Sequence, residues 1–468
     1  MGTFNLLING SFTPGASTMK VINPATGEAV AECARADSKQ LNEAVQAAKA
    51  AFPAWSGTDV AERREKLLAI ANGLEARCEE FAKLLTAEQG KPLKDANEEI
   101  MGSVIIMRML AALELPEKVL NEDETGKYIE HRSPLGVVAA IAPWNVPVSL
   151  LAVKITPALL AGNTVVAKPA PTTPLTTLLF AQVANEHLPA GVLNVITDEN
   201  DLGAELTRHP DVAKISFTGS TATGKKVMES ASSSLKRVTL ELGGNDAAIV
   251  LDDMDPKEAA AKLFAGSMIN CGQICLAIKR AYVPSSMYDE ICSELARLAN
   301  EAVVGDGSKP GVEIGPIQNK AQFERVKELI ASAKEEGNVI AGGEVIEGPG
   351  YFVRPTIVRD VDDNARIVRE EQFGPILPVL RYDDINDAIA RANNTTDGLG
   401  GTVWSANPER AAEVAKKLHT GIVWVNSHMA VHPWVSVGGA KQSGMGRELG
   451  LEGLEEFTQR HVVFVPKS

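Results

Sequence analysis

The chain has 468 residues, 45% hydrophobic and 23% charged, enough to bury large cores in two or three domains. Its formal net charge of −14 argues against a polyanionic partner, because nucleic-acid binding needs a basic surface to neutralise phosphates. Five sparse cysteines, Cys33, Cys78, Cys271, Cys275 and Cys292, suit free thiols in a reducing cytoplasm better than a disulfide framework. The apolar run near Leu135 to Ala142 is less than half the ~20 residues that span a bilayer, and the N-terminus shows no signal-peptide or myristoylation pattern. No membrane segment, export signal or lipid anchor is therefore expected.

Residues Phe4 to Phe12 read as a hairpin turning on Asn9-Gly10. Helices are predicted over Asp37 to Ala54, with Leu41, Ala44, Val45 and Ala48 at helical spacing, and over Val60 to Gln89, with Leu67, Leu68, Ile70, Ala71 and Leu74 in the same period and Gly90 as the stop. A third follows around Asp95 to Ala112, and the polar stretch from Glu117 to Arg132 reads as a hairpin outside the main fold. From Gly136, apolar strands (Val137 to Ile141, Thr164 to Lys168, Val192 to Ile196, Val212 to Phe217) alternate with helices (Leu150 to Ala161, Leu175 to His187, Leu202 to Thr207). Such alternation predicts a parallel sheet covered by helices, with a ligand outside the carboxyl ends of its strands.

A second series begins after Gly243. Strands are expected at Ala247 to Val250, Phe352 to Ile357, Ile376 to Tyr382, Thr402 to Trp404 and Gly421 to Asn426, with helices at Lys257 to Met268, Tyr288 to Ala302, Ile385 to Ala392 and Pro408 to Leu418. The last apolar-alternating segment, Arg460 to Val465, is placed as a strand beside the hairpin near Lys127.

Several motifs carry chemistry. Phe217-Thr218-Gly219-Ser220-Thr221-Ala222-Thr223-Gly224-Lys225-Lys226 follows a strand and opens a helix, and it approaches a P-loop except that Lys226 stands where a magnesium-binding hydroxyl belongs. That disfavours ATP chemistry but leaves backbone N–H groups and Ser220 at a helix N-terminus, suited to a pyrophosphate. Lys168 ends a buried strand two strands away, where it can meet a ribose or phosphate. Glu241 follows the strand Val238 to Leu240 and precedes two glycines; Cys275 sits in a glycine-containing polar stretch. Either residue alone is more often structural than catalytic. Cys271 and Cys275 form a C-x₃-C with no second ligand pair, so no metal is expected. His428 and His432 leave a Cys–His hydrolase open.

Six segments together, Pro143-Trp144-Asn145-Val146-Pro147, Phe217-Thr218-Gly219-Ser220, Leu240-Glu241-Leu242-Gly243-Gly244, Gly272-Gln273-Ile274-Cys275, Glu371-Gln372-Phe373-Gly374-Pro375 and Lys441-Gln442-Ser443-Gly444-Met445-Gly446-Arg447-Glu448, resemble the aldehyde dehydrogenase superfamily in order and spacing. The resemblance implies an α/β fold with a Rossmann-type cofactor domain (1–116, 135–243 and a return at 443–457), an α/β catalytic domain (244–442) and a small β oligomerisation element (117–134 and 458–468). It implies Cys275 as nucleophile, Asn145 with the Cys275 N–H as oxyanion hole, Glu241 as general base, and Lys154 and Glu448 as a proton relay. Trp144, Lys168, Gly219, Ser220, Gly224, Leu242, Glu371 and Phe373 are implied as cofactor contacts.

Pro171 replaces a glutamate that NAD-preferring members often carry three residues after the lysine. NAD remains preferred, with NADP possible, because no further cation lies beside Lys168. The family's common Pro-Phe-Gly-Gly reads Ser436-Val437-Gly438-Gly439 here. Val146, Leu150, Val153, Ile274, Leu276 and Val431 are expected to line an aliphatic substrate tunnel with Trp434 and His428 nearby. That lining suits an uncharged medium-chain aliphatic or aryl-alkyl aldehyde over a semialdehyde, whose carboxylate wants an arginine. CoA-acylating members usually lack the deacylating glutamate, so Glu241 points to hydrolysis. A homodimer or homotetramer is expected from the exposed strand edge.

Overall fold

The computed structural model describes residues 4–467. Asn9 (φ 51°) and Gly10 (φ 75°) both adopt the left-handed conformation, which lets strands Leu6–Ile8 and Ser11–Thr13 close on a two-residue turn. That hairpin forms one edge of an eight-stranded sheet. Its order is Gly444–Met445, Arg237–Glu241, Val212–Thr218, Val137–Ile141, Thr164–Lys168, Leu193–Val195, Leu6–Ile8 and Ser11–Thr13, and the five strands from Arg237–Glu241 to Leu193–Val195 are parallel.

Alternation along one central strand divides the core. Val138 and Ala140 face a cluster with helices Pro147–Leu160 and Leu175–Asn185, whereas Val137, Ala139 and Ile141 face helix Ser38–Ser56. Both faces are thus covered, as a parallel sheet requires. Helix Ser38–Ser56 begins where Asp37 accepts a hydrogen bond from the Gln40 N–H.

The second sheet has seven strands, in the order Asn338–Ala341, Thr356–Arg359, Ile376–Tyr382, Arg280–Pro284, Ala247–Val250, Gly400–Trp404 and Ile422–Val425, with only the first pair antiparallel. A third, antiparallel sheet joins Lys118–Glu122, Gly126–Pro134 and Thr458–Pro466, with Arg460 opposite Arg132. Asn163 ties this sheet to the first. Its Oδ1 accepts from the N–H groups of Leu135 (2.7 Å) and Gly136 (3.0 Å), and its Nδ2 donates to the carbonyls of Ala158 (3.1 Å) and Phe457 (2.9 Å). Among the described residues, no helix is long and apolar enough to cross a membrane.

The sequence reading needs correction or completion at several elements. The helix read over 60–89 is two, Val60–Ala76 and Cys78–Gln89, because Arg77 (φ −109°, ψ 17°) leaves the helical region. The apolar period runs through the break, with Leu74 and Phe81 both buried, so periodicity could not mark it. The strand read at 352–357 lies at Thr356–Arg359. Strand Arg280–Pro284 and helix Lys320–Glu336 were not foreseen. The strand opens on a charged residue and ends on a proline, yet it is buried throughout; the Arg280 guanidinium bonds the carbonyls of Asn245 (2.7 Å) and Ala392 (3.0 Å).

Candidate active site

The carboxyl ends of the first sheet's strands meet residues of the second around a cleft of about 420 Å³, lined among others by Trp144, Asn145, Gly219, Ser220, Cys275 and Glu371. On its floor, Ser220 caps helix Thr221–Ser232 by accepting from the Thr223 N–H (3.2 Å). The free N–H groups of that helix start suit an anion.

Cys275 is presented by an unusual turn. Asn270 (φ 49°), Cys271 (φ 58°) and Gly272 (φ 71°) are left-handed in succession, which costs about 1–2 kcal/mol for each residue bearing a Cβ. A Cβ on Gly272 would lie 2.1 Å from the Gly374 carbonyl oxygen, so close backbone packing demands glycine there. The turn is locked by Gln273, fully buried, whose Nε2 donates to the carbonyls of Asn270 (3.0 Å) and Pro316 (3.3 Å) while its Oε1 accepts from the Gln318 N–H (2.9 Å).

Asn145 meets this turn directly. Its Nδ2 donates to the Gln273 carbonyl (2.8 Å), and its own carbonyl accepts from Asn270 Nδ2 (3.1 Å) and Lys91 Nζ (3.0 Å). Lys91 is itself held by buried Glu99. One Asn145 amide hydrogen is thereby engaged and the other remains to donate. No hydrogen bond of the Cys275 N–H forms among the described residues, and Asn145 and Cys275 line the same cleft.

Glu241 ends its strand beside Thr218. Its Oε1 is buried without a hydrogen-bond partner, and burial with the nearby Glu448 charge pushes its pKa well up, against Lys154 and Arg447. Lys154, fully buried, donates to Glu448 Oε1 (2.6 Å) and Thr218 Oγ1 (2.7 Å). The Cys275 thiol is pushed up to about 12, chiefly by burial, with Glu371, Asp246 and Glu241 adding to this and Lys279 opposing it. Cys271 lies in the core, where burial raises its thiol further; it is a packing residue.

The histidines do not join the site as bases. No hydrogen bond links His428 or His432 to Cys275 among the described residues. His428 stands edge-on to Trp424, 5.4 Å between ring centroids, and burial and Lys279 lower its pKa to about 4.

Across the cleft, Glu371 Oε1 accepts from the Gly244 N–H (3.2 Å), and a Cβ on Gly243 would lie 2.5 Å from Glu371 Oε2. The glycine pair after Glu241 thus admits the carboxylate. The Trp144 and Phe373 rings pack edge to face at 5.3 Å. This set fits a dinucleotide: a helix start for pyrophosphate, a carboxylate for ribose hydroxyls and apolar walls for the rings.

Comparison with known proteins agrees. Residues 12–463 match the model of the aldehyde dehydrogenase family. The chain belongs to the aldehyde dehydrogenase family. It is 40% identical to a phenylacetaldehyde dehydrogenase of Pseudomonas fluorescens over 474 aligned residues, covering 97% of this chain and 94% of that one. Its structure is similar to the NAD⁺ complex of a Bacillus cereus aldehyde dehydrogenase (TM-score 0.97, 37% identity, covering 100% and 97% of the two chains). It is also similar to an Escherichia coli NADP-dependent enzyme (TM-score 0.96, 35% identity, 99% and 98% covered). The chain is an NAD(P)-dependent aldehyde dehydrogenase.

Within this aldehyde dehydrogenase, not every expected cofactor residue reaches the cleft. Leu242 lines it, but Gly224 is buried against Leu242, where a Cβ would lie 2.4 Å from Cδ2. Lys168 is not free: its Nζ lies 2.5 Å from Asp198 Oδ1, both residues being buried. Of the expected tunnel residues, Val153 and Ile274 are buried, Val146, Leu150 and Leu276 half-buried, and Val431 exposed. Four residues went unforeseen: Gln322 and Arg325, which line the cleft from the missed helix, Asp198 beside Lys168, and Lys279, whose ammonium touches the Cys275 loop. A lysine four positions after the cysteine is visible in the sequence, but an isolated lysine reads as surface.

A Gly272→Ala variant is expected to displace the Cys275 loop and lower kcat/KM for aldehyde by about 100-fold, the scale set by ångström misplacement of a reacting group. Steady-state kinetics beside a thermal melt checks this; wild-type kinetics would refute it.

Proposed function

We propose that this enzyme oxidises an uncharged medium-chain aliphatic or aryl-alkyl aldehyde to its carboxylic acid through a covalent intermediate on Cys275. The observation that carries the reading is the meeting of Cys275, the Asn145 amide and Glu241 beside a dinucleotide-shaped cleft.

Cys275 gives its thiol proton to solvent and its Sγ adds to the aldehyde carbon: the C–S bond forms as the carbonyl π bond opens, leaving a thiohemiacetal oxyanion. Asn145 Nδ2 and the Cys275 N–H stabilise the negative charge that develops on oxygen, an effect worth about 3–4 kcal/mol per well-placed donor. Bound nicotinamide supplies the hydride acceptor. The resulting thioester is hydrolysed by a water from which Glu241 takes a proton, breaking the C–S bond and releasing the acid. The Lys154–Glu448 pair stands ready to carry that proton away. Glu371 would hold ribose hydroxyls, Ser220 and its helix start the pyrophosphate, and Trp144 and Phe373 would wall the rings. Glu241 supports hydrolysis over transfer to CoA. The 40% identity to a phenylacetaldehyde dehydrogenase supports an aryl-alkyl or similar aldehyde.

We infer a preference for NAD over NADP. Asp198 places a carboxylate against Lys168, and a carboxylate there repels a 2′-phosphate. We also propose that the third sheet joins subunits into a dimer or tetramer, because Val119, Tyr128, Val462 and Phe464 are exposed on it and Lys118–Glu122 is a free edge.

Glu241→Gln should form one reduced cofactor per site in a burst and then stall at the thioester, while Cys275→Ser should lose the burst; full turnover by either sinks the mechanism. Because the Glu241 pKa is raised, the base form grows as pH climbs, so wild-type deacylation should accelerate with pH above the ordinary carboxylate range. In kcat/KM measured over neutral and acidic aldehydes with each cofactor, neutral aldehydes with NAD should lead, and Asp198→Ala should raise the NADP/NAD ratio about tenfold, or 1.4 kcal/mol; tighter NADP binding by titration calorimetry checks the same point without turnover. Light scattering should give a multiple of the 49.7 kDa chain mass; a monomer mass rejects the interface.

A further inference from the structure

Lys279 lies four residues beyond Cys275 and is 2% exposed. Its ammonium donates to three carbonyls of one loop: Ile274 (2.6 Å), Ala277 (3.0 Å) and Cys275 itself (3.2 Å). Three donors are matched by three acceptors, and no carboxylate lies within ion-pair distance of this ammonium among the described residues. A buried cation ordinarily demands a counter-charge. Here carbonyl dipoles solvate it.

The Ile274 contact has a geometric consequence. The Ile274 C=O and the Cys275 N–H belong to one trans peptide plane and point in opposite directions. Anchoring the carbonyl on Lys279 therefore turns the Cys275 N–H away from Lys279 and leaves it free to donate. The backbone enters the strand Arg280–Pro284 immediately after Lys279, so the clamp is fixed to the second sheet. Lys279 N–H adds a bond to the Asp246 carbonyl (2.9 Å).

We propose that Lys279 is a positioning residue of the catalytic loop: its ammonium orients the Cys275 peptide for oxyanion binding and provides the positive charge that favours the Cys275 thiolate. The proposal rests on Cys275 being the nucleophile. The groups that act electrostatically on the sulfur are Lys279 on one side and Glu371, Asp246 and Glu241 on the other. Asp246 has its Oδ1 on the Gly400 N–H (3.1 Å), and Glu371 has its Oε1 on the Gly244 N–H. Burial raises both carboxyls, Asp246 to about 7 and Glu371 to about 6, which softens their opposition to the thiolate at neutral pH. His428, also under the influence of Lys279, is neutral there.

Two substitutions separate charge from clamp. Lys279→Gln removes the charge but keeps two N–H donors, whereas Lys279→Met removes both. The rate of Cys275 alkylation by iodoacetamide, followed by peptide mapping from pH 6.5 to 10 on full-length protein, is expected to move about one unit toward higher pH in both variants, or about tenfold slower at a given pH. Aldehyde kcat/KM should fall further in Met than in Gln, with NAD binding within about twofold of wild type. A folded Gln variant whose alkylation profile superimposes on wild type overturns the proposal. A crystal structure of the unmodified chain with the Lys279 ammonium away from the Ile274 carbonyl overturns it too, and needs no variant to fold. If alkylation of Cys275 leaves dehydrogenase activity intact, the nucleophile assignment itself is wrong; if alkylation abolishes activity but the profiles coincide, only the Lys279 role falls.

Discussion

Asn145 and the turn at residues 270–273 exchange hydrogen bonds in both directions: side-chain amide to the Gln273 carbonyl one way, Asn270 amide to the Asn145 carbonyl the other. Asn145 follows a strand of the eight-stranded sheet, and the turn leads into a strand of the seven-stranded sheet. Asn145 and the turn that leads to Cys275 thus come from different halves of the chain and are brought into register by two buried amides. The Lys91–Glu99 pair behind Asn145 extends the lock into helix Leu93–Ala111, because Glu99 Oε1 accepts from the Val148 N–H (2.9 Å). Everything the cleft does depends on this seam holding still, which is why buried polar groups with satisfied partners, and not apolar packing alone, occupy it.

Electrostatics in the cleft follow from burial. Glu241, Asp246 and Glu371 all hold their protons more tightly than a solvated carboxyl. Three ionised carboxylates around one thiol would strongly oppose its ionisation; partial protonation relaxes this. Lys154 and Glu448 form an ion pair next to Glu241, and the second hydrogen bond of Lys154, to Thr218, continues the polar row along the neighbouring strand.

Much of this was legible in the sequence, for identifiable reasons. Strands Val137–Ile141, Thr164–Lys168, Ala247–Val250 and Ile376–Tyr382 fall where apolar runs bounded by polar residues put them. Asn9-Gly10 and Gly90 announced their left-handed turns. Arg280–Pro284 escaped because its arginine is satisfied by distant carbonyls, a tertiary fact no local pattern carries. The break at Arg77 escaped because two helices can share one periodicity across a kink. In the site, Cys275, Glu241 and Asn145 came from motif resemblance, and the structure brings them together. Asp198 was hidden because its partner lies on another strand, and Lys279 because a buried ammonium held by carbonyls looks, in one dimension, like any solvated lysine.

One consequence concerns chemical durability. A thiolate is the form of cysteine that peroxides attack, and susceptibility follows both charge and access. Lifting the Cys275 thiol to about 12 keeps its thiolate fraction small, and so slows oxidation at a half-buried residue that lines the cleft. Cys271, four residues earlier in the chain, is sheltered instead by close packing in the core.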